Sequence, residues 1–142
     1  METMGIARKI TPQIAKTKAS VLLLGPRQTG KSTLIRSLEP DLSINLADEA
    51  ELLKFAADAE RLRNQLAAAK ARTVFIDEVQ RLPSLLNTVQ AIIDEQRIKF
   101  FLTGSSARKL RRGKANLLPG RIIQFDLGPL LVAELADQFD ME

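Results

Sequence analysis

The sequence predicts an α/β fold in which a parallel β-sheet is covered by helices on both faces. Three observations carry that expectation. Short apolar runs recur at residues 20–24, 73–76, 98–102 and 121–125, and such runs suit strands that are buried on both faces. Between them lie stretches of helical spacing or helix-forming composition, and strands alternating with helices imply parallel pairing through crossovers. Finally, LLLGPRQTGKSTLI (Leu22 to Ile35) breaks an apolar run with a turn that holds two glycines and a Lys-Ser pair, after which the apolar residues resume.

The elements follow in order. Met4, Ile6, Ile10 and Ile14 stand at roughly helical spacing, so a peripheral helix is expected over residues 4–16, with Pro12 marking a break or a late start. Ser20 to Leu24 reads as a buried strand, and Lys31 to Leu38 as a helix that stops before Pro40. DLSINLA, Asp41 to Ala47, alternates apolar and polar residues as a strand does. From Glu49 to Lys70 the composition turns to Ala, Leu, Glu, Lys and Arg, which predicts one or two helices. Thr73 to Ile76 is a strand with Asp77 and Glu78 at its C-terminal end. Pro83 opens a helix reaching Glu95, because a first turn has no use for the missing N–H. Ile98 to Leu102 is a further strand that runs into TGSS, where Ser105 or Ser106 would start a basic helix over ARKLRR. Arg121 to Phe125 is the last strand, and Pro129 begins a helical pattern, LLVAELADQF.

Composition narrows the chemistry. With 142 residues, 45% hydrophobic and 27% charged, the chain suits one folded domain with its own core rather than a disordered segment. It has no Cys and no His, so disulfides, thiol nucleophiles, Cys or His metal sites and imidazole acid/base catalysis are all excluded. Phe is the only aromatic residue, which removes Tyr or Trp platforms for stacking bases. A net charge of +4 fits phosphate-bearing partners without separating a nucleotide from a nucleic acid. Charges spread through the N-terminal residues rule out a signal-peptide pattern, and no apolar run has the length of a membrane span. The expectation is a cytoplasmic protein with no membrane partner.

The interrupted run explains itself through phosphate chemistry. Gly25, Pro26, Arg27, Gln28, Thr29, Gly30, Lys31 and Ser32 fit GxxxxGK[ST] at every fixed position, between a strand and a helix as the mechanism needs. Glycines let the backbone curl so that successive N–H groups converge on phosphate oxygens, and the following helix N-terminus adds partial positive charge. Lys31 would reach the β- and γ-phosphates, Ser32 would ligate Mg²⁺, and Thr33 would complete the binding stretch. An accidental Gly-containing turn is the bland alternative.

Such a loop calls for an Asp at the end of a neighbouring buried strand to hold the magnesium shell, and TVFIDE supplies Asp77. Glu78, one residue on, suits polarisation of a water in line with the γ-phosphate, which favours hydrolysis over phosphotransfer. Otherwise Glu78 would be a surface acid or a partner for Arg81.

With these residues in place, GPRQTGKSTL, FIDEVQRLP, FFLTGSS and LPGRI resemble the AAA+ ATPases. More narrowly, they are similar to the predicted prokaryotic AAA-type ATPases whose longer members carry a C-terminal domain of unknown function. The resemblance runs from about Ala19 to Leu135. It implies a five-stranded parallel sheet in the order 5-1-4-3-2 and ATP with Mg²⁺ at the C-terminal ends of the strands. It implies a polar sensor at the end of the fourth strand, on Thr103 or less readily Ser105. It also implies an arginine finger reaching a neighbouring subunit's nucleotide, on Arg121, with Arg108, Arg111 and Arg112 as other candidates. The helical lid that follows such cores would begin where this chain stops, at Glu142. Residues 1–18 are accordingly expected as a helical segment and residues 19–142 as the nucleotide-binding core, being a fragment, a short homologue or a core that needs a partner.

RKLRRGK holds five cations in seven residues, Arg108, Lys109, Arg111, Arg112 and Lys114. This cluster would contact nucleic-acid phosphates, face a neighbouring subunit, or simply form a solvated helix surface. The leading expectation is an ATP-binding and hydrolysing domain in which Lys31, Glu78, Thr103 and Arg121 assist catalysis. Its rival is a nucleotide-dependent switch or nucleic-acid-binding module with negligible turnover.

Overall fold

The computed structural model describes residues 12–26, 30–105 and 120–127. The chain runs β1 (Ser20–Leu24), α1 (Lys31–Arg36), β2 (Leu42–Asn45), α2 (Glu49–Ala57), α3 (Arg61–Ala69), β3 (Thr73–Asp77), a 3-10 turn (Val79–Arg81), α4 (Pro83–Glu95), β4 (Lys99–Gly104) and β5 (Ile122–Asp126). Residues 12–16 are helical, and the rest of the helix expected over residues 4–16 lies outside the described residues. The expected basic helix after Ser105 and the helix after Pro129 lie outside the described residues.

All five strands are parallel, in the order β2-β3-β4-β1-β5. This is the expected 5-1-4-3-2 sheet read from its other edge. The strand that feeds the glycine turn is therefore interior, with β4 on one side and β5 on the other. β3, which ends in the acids, is separated from it by β4 alone.

Each buried strand sends alternate residues to opposite faces. Leu22 and Leu24 join Ile44, Leu46, Phe55, Leu62, Leu66, Leu86 and Phe100 in the larger core, under α2, α3 and α4. Val21 and Leu23 join Ile14, Leu34, Ile35, Phe75 and Phe101 in the smaller core, under α1 and the N-terminal helical turn. Most of these side chains are fully buried, and each contributes roughly 1.5–3 kcal/mol relative to exposure. The surface ion pairs Arg63–Glu95, Arg81–Glu49 and Arg121–Asp94 belong to a class worth about 0–1 kcal/mol each. Packing, not charge pairing, holds the sheet between its layers.

Local polar contacts fix where elements begin and end. Asp48 caps α2 by accepting the N–H of Ala50 at 3.1 Å. At Asp58 the backbone becomes extended and the side chain accepts the N–H of Glu60 at 3.0 Å, which separates α2 from α3. Lys99 is turned toward the N-terminal segment. Its Nζ donates to the carbonyls of Ile14 and Thr17 at 2.6 Å and of Ala15 at 3.1 Å, and stands 5.0 Å from the centre of the Phe101 ring. These carbonyls stand at the end of a helical turn, where intrahelical N–H donors run out. Burial holds the Lys99 pKa below its ordinary 10.5.

Candidate nucleotide site

The site gathers at the C-terminal ends of β1, β3 and β4. Gly25 leaves β1 buried, its N–H donating to the Gly104 carbonyl at 3.1 Å, so the turn springs from a point locked to β4. Gly30 re-enters helix α1 with φ 83° and ψ −1°, a left-handed conformation that disfavours any residue with a Cβ. Arg27, Gln28 and Thr29, the middle of the turn, lie outside the described residues.

Lys31 follows at the first position of α1 and is only 4% exposed. Its ammonium folds back over the turn, donating to the carbonyl of Gly25 and, at 2.8 Å, to that of Gly104. A buried cation held by carbonyls sits in an electropositive seat at a helix N-terminus, the setting that favours an anion. Ser32 points the other way, toward the sheet. Its Oγ donates to Asp77 Oδ2 at 3.0 Å. Thr33, exposed on the same turn of α1, has no role in this contact.

Asp77 is held from two sides. While Ser32 occupies one carboxylate oxygen, Thr103 Oγ1 donates to the other at 2.5 Å, and the same Thr103 oxygen accepts the N–H of Glu78 at 3.1 Å. Thr103 is completely buried. Loop, acid strand and β4 are thereby joined through three side chains. The arrangement also suits a hard divalent cation. Oxygens occupying adjacent positions around an octahedral Mg²⁺ at about 2.1 Å stand about 3 Å apart, the separation already present between Ser32 Oγ and Asp77 Oδ2. Those two residues would hold Mg²⁺, with phosphate oxygens and water completing its shell.

Glu78 adopts φ 59° and ψ 51°, a left-handed conformation uncommon for a residue with a side chain. Its carboxylate accepts from Gln80 Nε2. Arg81 does not serve Glu78. It donates to the carbonyls of Leu46 and Ala47, both at 2.9 Å, and pairs with Glu49 at 2.7 Å, clamping the turn between β2 and α2. The Arg81 side chain is committed to that turn, in place of the pairing with Glu78 that sequence adjacency offered.

Arg121 is elsewhere. Ser20, the first residue of β1, pairs with Ile122, so Arg121 lies at the N-terminal edge of the sheet, the end opposite the glycine turn. It pairs with Asp94 of α4 at 2.5 Å; that bond draws the Asp94 carboxyl below its usual range and raises the guanidinium. Ser105, the second sensor candidate, donates its N–H to Gln80 Oε1 at 3.3 Å, and its hydroxyl is buried with no partner among the described residues. Arg108, Lys109, Arg111, Arg112 and Lys114 lie outside the described residues. Sequence reasoning missed Gln80. The only signal was its place two residues after the acid pair, which means nothing until the left-handed turn at Glu78 is known.

Known proteins share the family and the fold of this chain. A family model described as an AAA domain matches residues 17–136. Uncharacterized proteins of Mycobacterium tuberculosis and Mycobacterium bovis are each 30% identical over 122 residues, 81% of this chain and 26% of theirs. The chain thus spans about a quarter of the length of these curated relatives. Among solved structures, the P-loop NTPase domain of a sigma-54 transport activator from E. coli superposes with a TM-score of 0.58 at 15% identity, over 89% of this chain and 96% of that one. AMPPCP-bound DnaA from Aquifex aeolicus superposes with a TM-score of 0.50 at 13% identity, over 89% of this chain and 48% of that one. Both show the same fold. No helix among the described residues is long and apolar enough to cross a membrane.

Proposed function

The chain belongs to the AAA domain family, a group of P-loop NTPases, and from that premise we propose that it binds ATP with Mg²⁺ and hydrolyses it. The observation that carries this reading is the contact of Ser32 with Asp77, which brings the phosphate loop and the acid strand to one point. Lys31 and the loop from Gly25 to Thr33 bind the phosphates, Arg27, Gln28 and Thr29 through their backbone. Ser32 and Asp77 hold Mg²⁺, which supplies charge neutralisation across the phosphates when bound. Glu78 accepts the proton of the attacking water. Thr103, with its hydroxyl committed to Asp77 and the Glu78 amide, acts by positioning those two acids. We further propose residues 19–142 as the nucleotide-binding unit.

Arg121 stands at the far edge of the sheet from its own loop, so a role as finger requires a second copy of the chain, whose nucleotide it would reach after leaving Asp94. The proposal thus includes a homo-oligomer, and nucleic acid as a further partner through the basic cluster at 108–114.

The test is Mg·ATP turnover at several protein concentrations beside direct ATP binding. Lys31→Met should weaken ATP binding at least tenfold. Glu78→Gln should leave binding intact while turnover falls roughly 10²-fold or more. Arg121→Ala should abolish any rise of turnover per chain with concentration. Unchanged ATP binding by Lys31→Met would overturn the reading.

A further inference from the structure

We propose that Gln80 is a positioning residue for Glu78, holding its carboxylate in one orientation and tying it to the C-terminal end of β4. This rests on the hydrolytic reading above. Side chains two residues apart ordinarily point away from each other on a helix. Here the left-handed backbone at Glu78 and the 3-10 turn that follows bring the two together, and Gln80 Nε2 donates to Glu78 Oε2. At its other end Gln80 Oε1 accepts the N–H of Ser105 at 3.3 Å. The amide can face only one way, because a carboxylate solely accepts and a backbone N–H solely donates. Neither Glu nor Met at this position would satisfy both neighbours.

The surroundings keep a seat for this amide. A Cβ added at Gly104 would come within 3.0 Å of Gln80 Oε1 and within 3.0 Å of Leu24 Cδ2. Gly104 therefore leaves the room that Gln80 fills, at the same point where the Gly104 carbonyl receives Lys31. A glutamate left to itself samples several rotamers, whereas a general base must stand within hydrogen-bond reach of its water. A bridge to rigid β4 removes that freedom. Among the described residues Gln80 bonds to Glu78 and Ser105, so its effect is expected on turnover rather than on nucleotide affinity.

Two measurements test this on the full chain. In nucleotide-free protein, the side-chain amide signal of Gln80 in ¹H–¹⁵N spectra, identified by its loss in Gln80→Met, should move when Glu78 is replaced in Glu78→Ala. With Mg·ATP, Gln80→Glu keeps the acceptor for Ser105 and replaces the donor to Glu78 with a repelling carboxylate. It should keep ATP affinity within about twofold while single-turnover rates fall roughly 10²-fold, the scale of a misplaced reacting group. The same change made on Glu78→Gln should cost nothing further. An unmoved amide signal, a parallel loss of affinity and rate, or an equal loss in the Glu78→Gln background would overturn the role of Gln80 alone. ATP binding without turnover by the wild-type chain would instead overturn the hydrolytic reading on which the role depends.

Discussion

Thr103 Oγ1 and Asp77 Oδ1 are 2.5 Å apart on neighbouring strands, one step beyond the paired residues Ile76 and Leu102. The threonine is fully buried and also accepts the Glu78 amide, so both of its polar contacts are made without water. Thr103→Val keeps the shape and removes both. Chemical denaturation should show a loss of about 1–3 kcal/mol, the cost of leaving a buried donor unpaired, and Thr103→Ser should recover most of it. An unchanged Thr103→Val would mean that the hydroxyl is dispensable to the acids.

Gly104→Ala should be costly although its backbone requires no special conformation. The added methyl meets Gln80 Oε1 and Leu24 Cδ2 at 3.0 Å each, closer than ordinary contact. Overpacking of this kind costs about 1–3 kcal/mol. Urea denaturation checks the stability, and the Gln80 amide signal should shift in the same variant.

Lys99→Met should loosen one segment and spare the sheet. The carbonyls of Ile14, Ala15 and Thr17 lose a shared donor, while the backbone ladder that pairs β4 with β1 and β3 does not use the Lys99 side chain. Hydrogen exchange at residues 12–18 should quicken well before exchange in β1 or β4 does. Uniform quickening would show that the clamp stabilises the whole domain.

Asp41 gives a pH signature. Its Oδ2 accepts the N–H groups of Arg72 at 2.9 Å and Thr73 at 3.2 Å, and these bonds, that to Arg72 foremost, lower its pKa below 3.8. A carboxyl whose pKa is depressed by folding stabilises the fold above its unfolded value and loses that effect as pH falls through the folded one. Thermal melting should therefore place Asp41→Ala below wild type at neutral pH, with the gap closing as pH drops below about 3.8. A gap independent of pH would assign the effect to something other than the charge.

Much of this was legible because the central strands are buried on both faces. Ser20–Leu24 and Thr73–Ile76 announce themselves as apolar runs, and the glycine turn and Asp77 follow from residue type and spacing alone. β2, at the sheet edge, buries Ile44 and exposes Ser43 and Asn45, so its ends blur into the flanking polar residues. The break between α2 and α3 carries no Pro or Gly and depends on one Asp58 side chain, which propensity does not register. Arg81 and Gln80 were unreadable for a shared reason. Their partners are set by the left-handed turn at Glu78, and nothing in the letters DEVQR signals that an acid will adopt it.

The strand order has a consequence for how the chain acquires its site. β1 emerges early, yet Val21 pairs with Phe101 and Ser20 with Ile122, so its two neighbours come from far downstream. Pairings this distant close late and slowly. On the ribosome, the phosphate loop leaves the exit tunnel long before Asp77, and Asp77 before Thr103. Ser32 therefore cannot be held against Asp77 until β4 has been made and inserted between β1 and β3. The same insertion that joins β1 to β3 brings the acids to the loop, so in the proposed reading nucleotide capture follows the placing of β4 rather than guiding it.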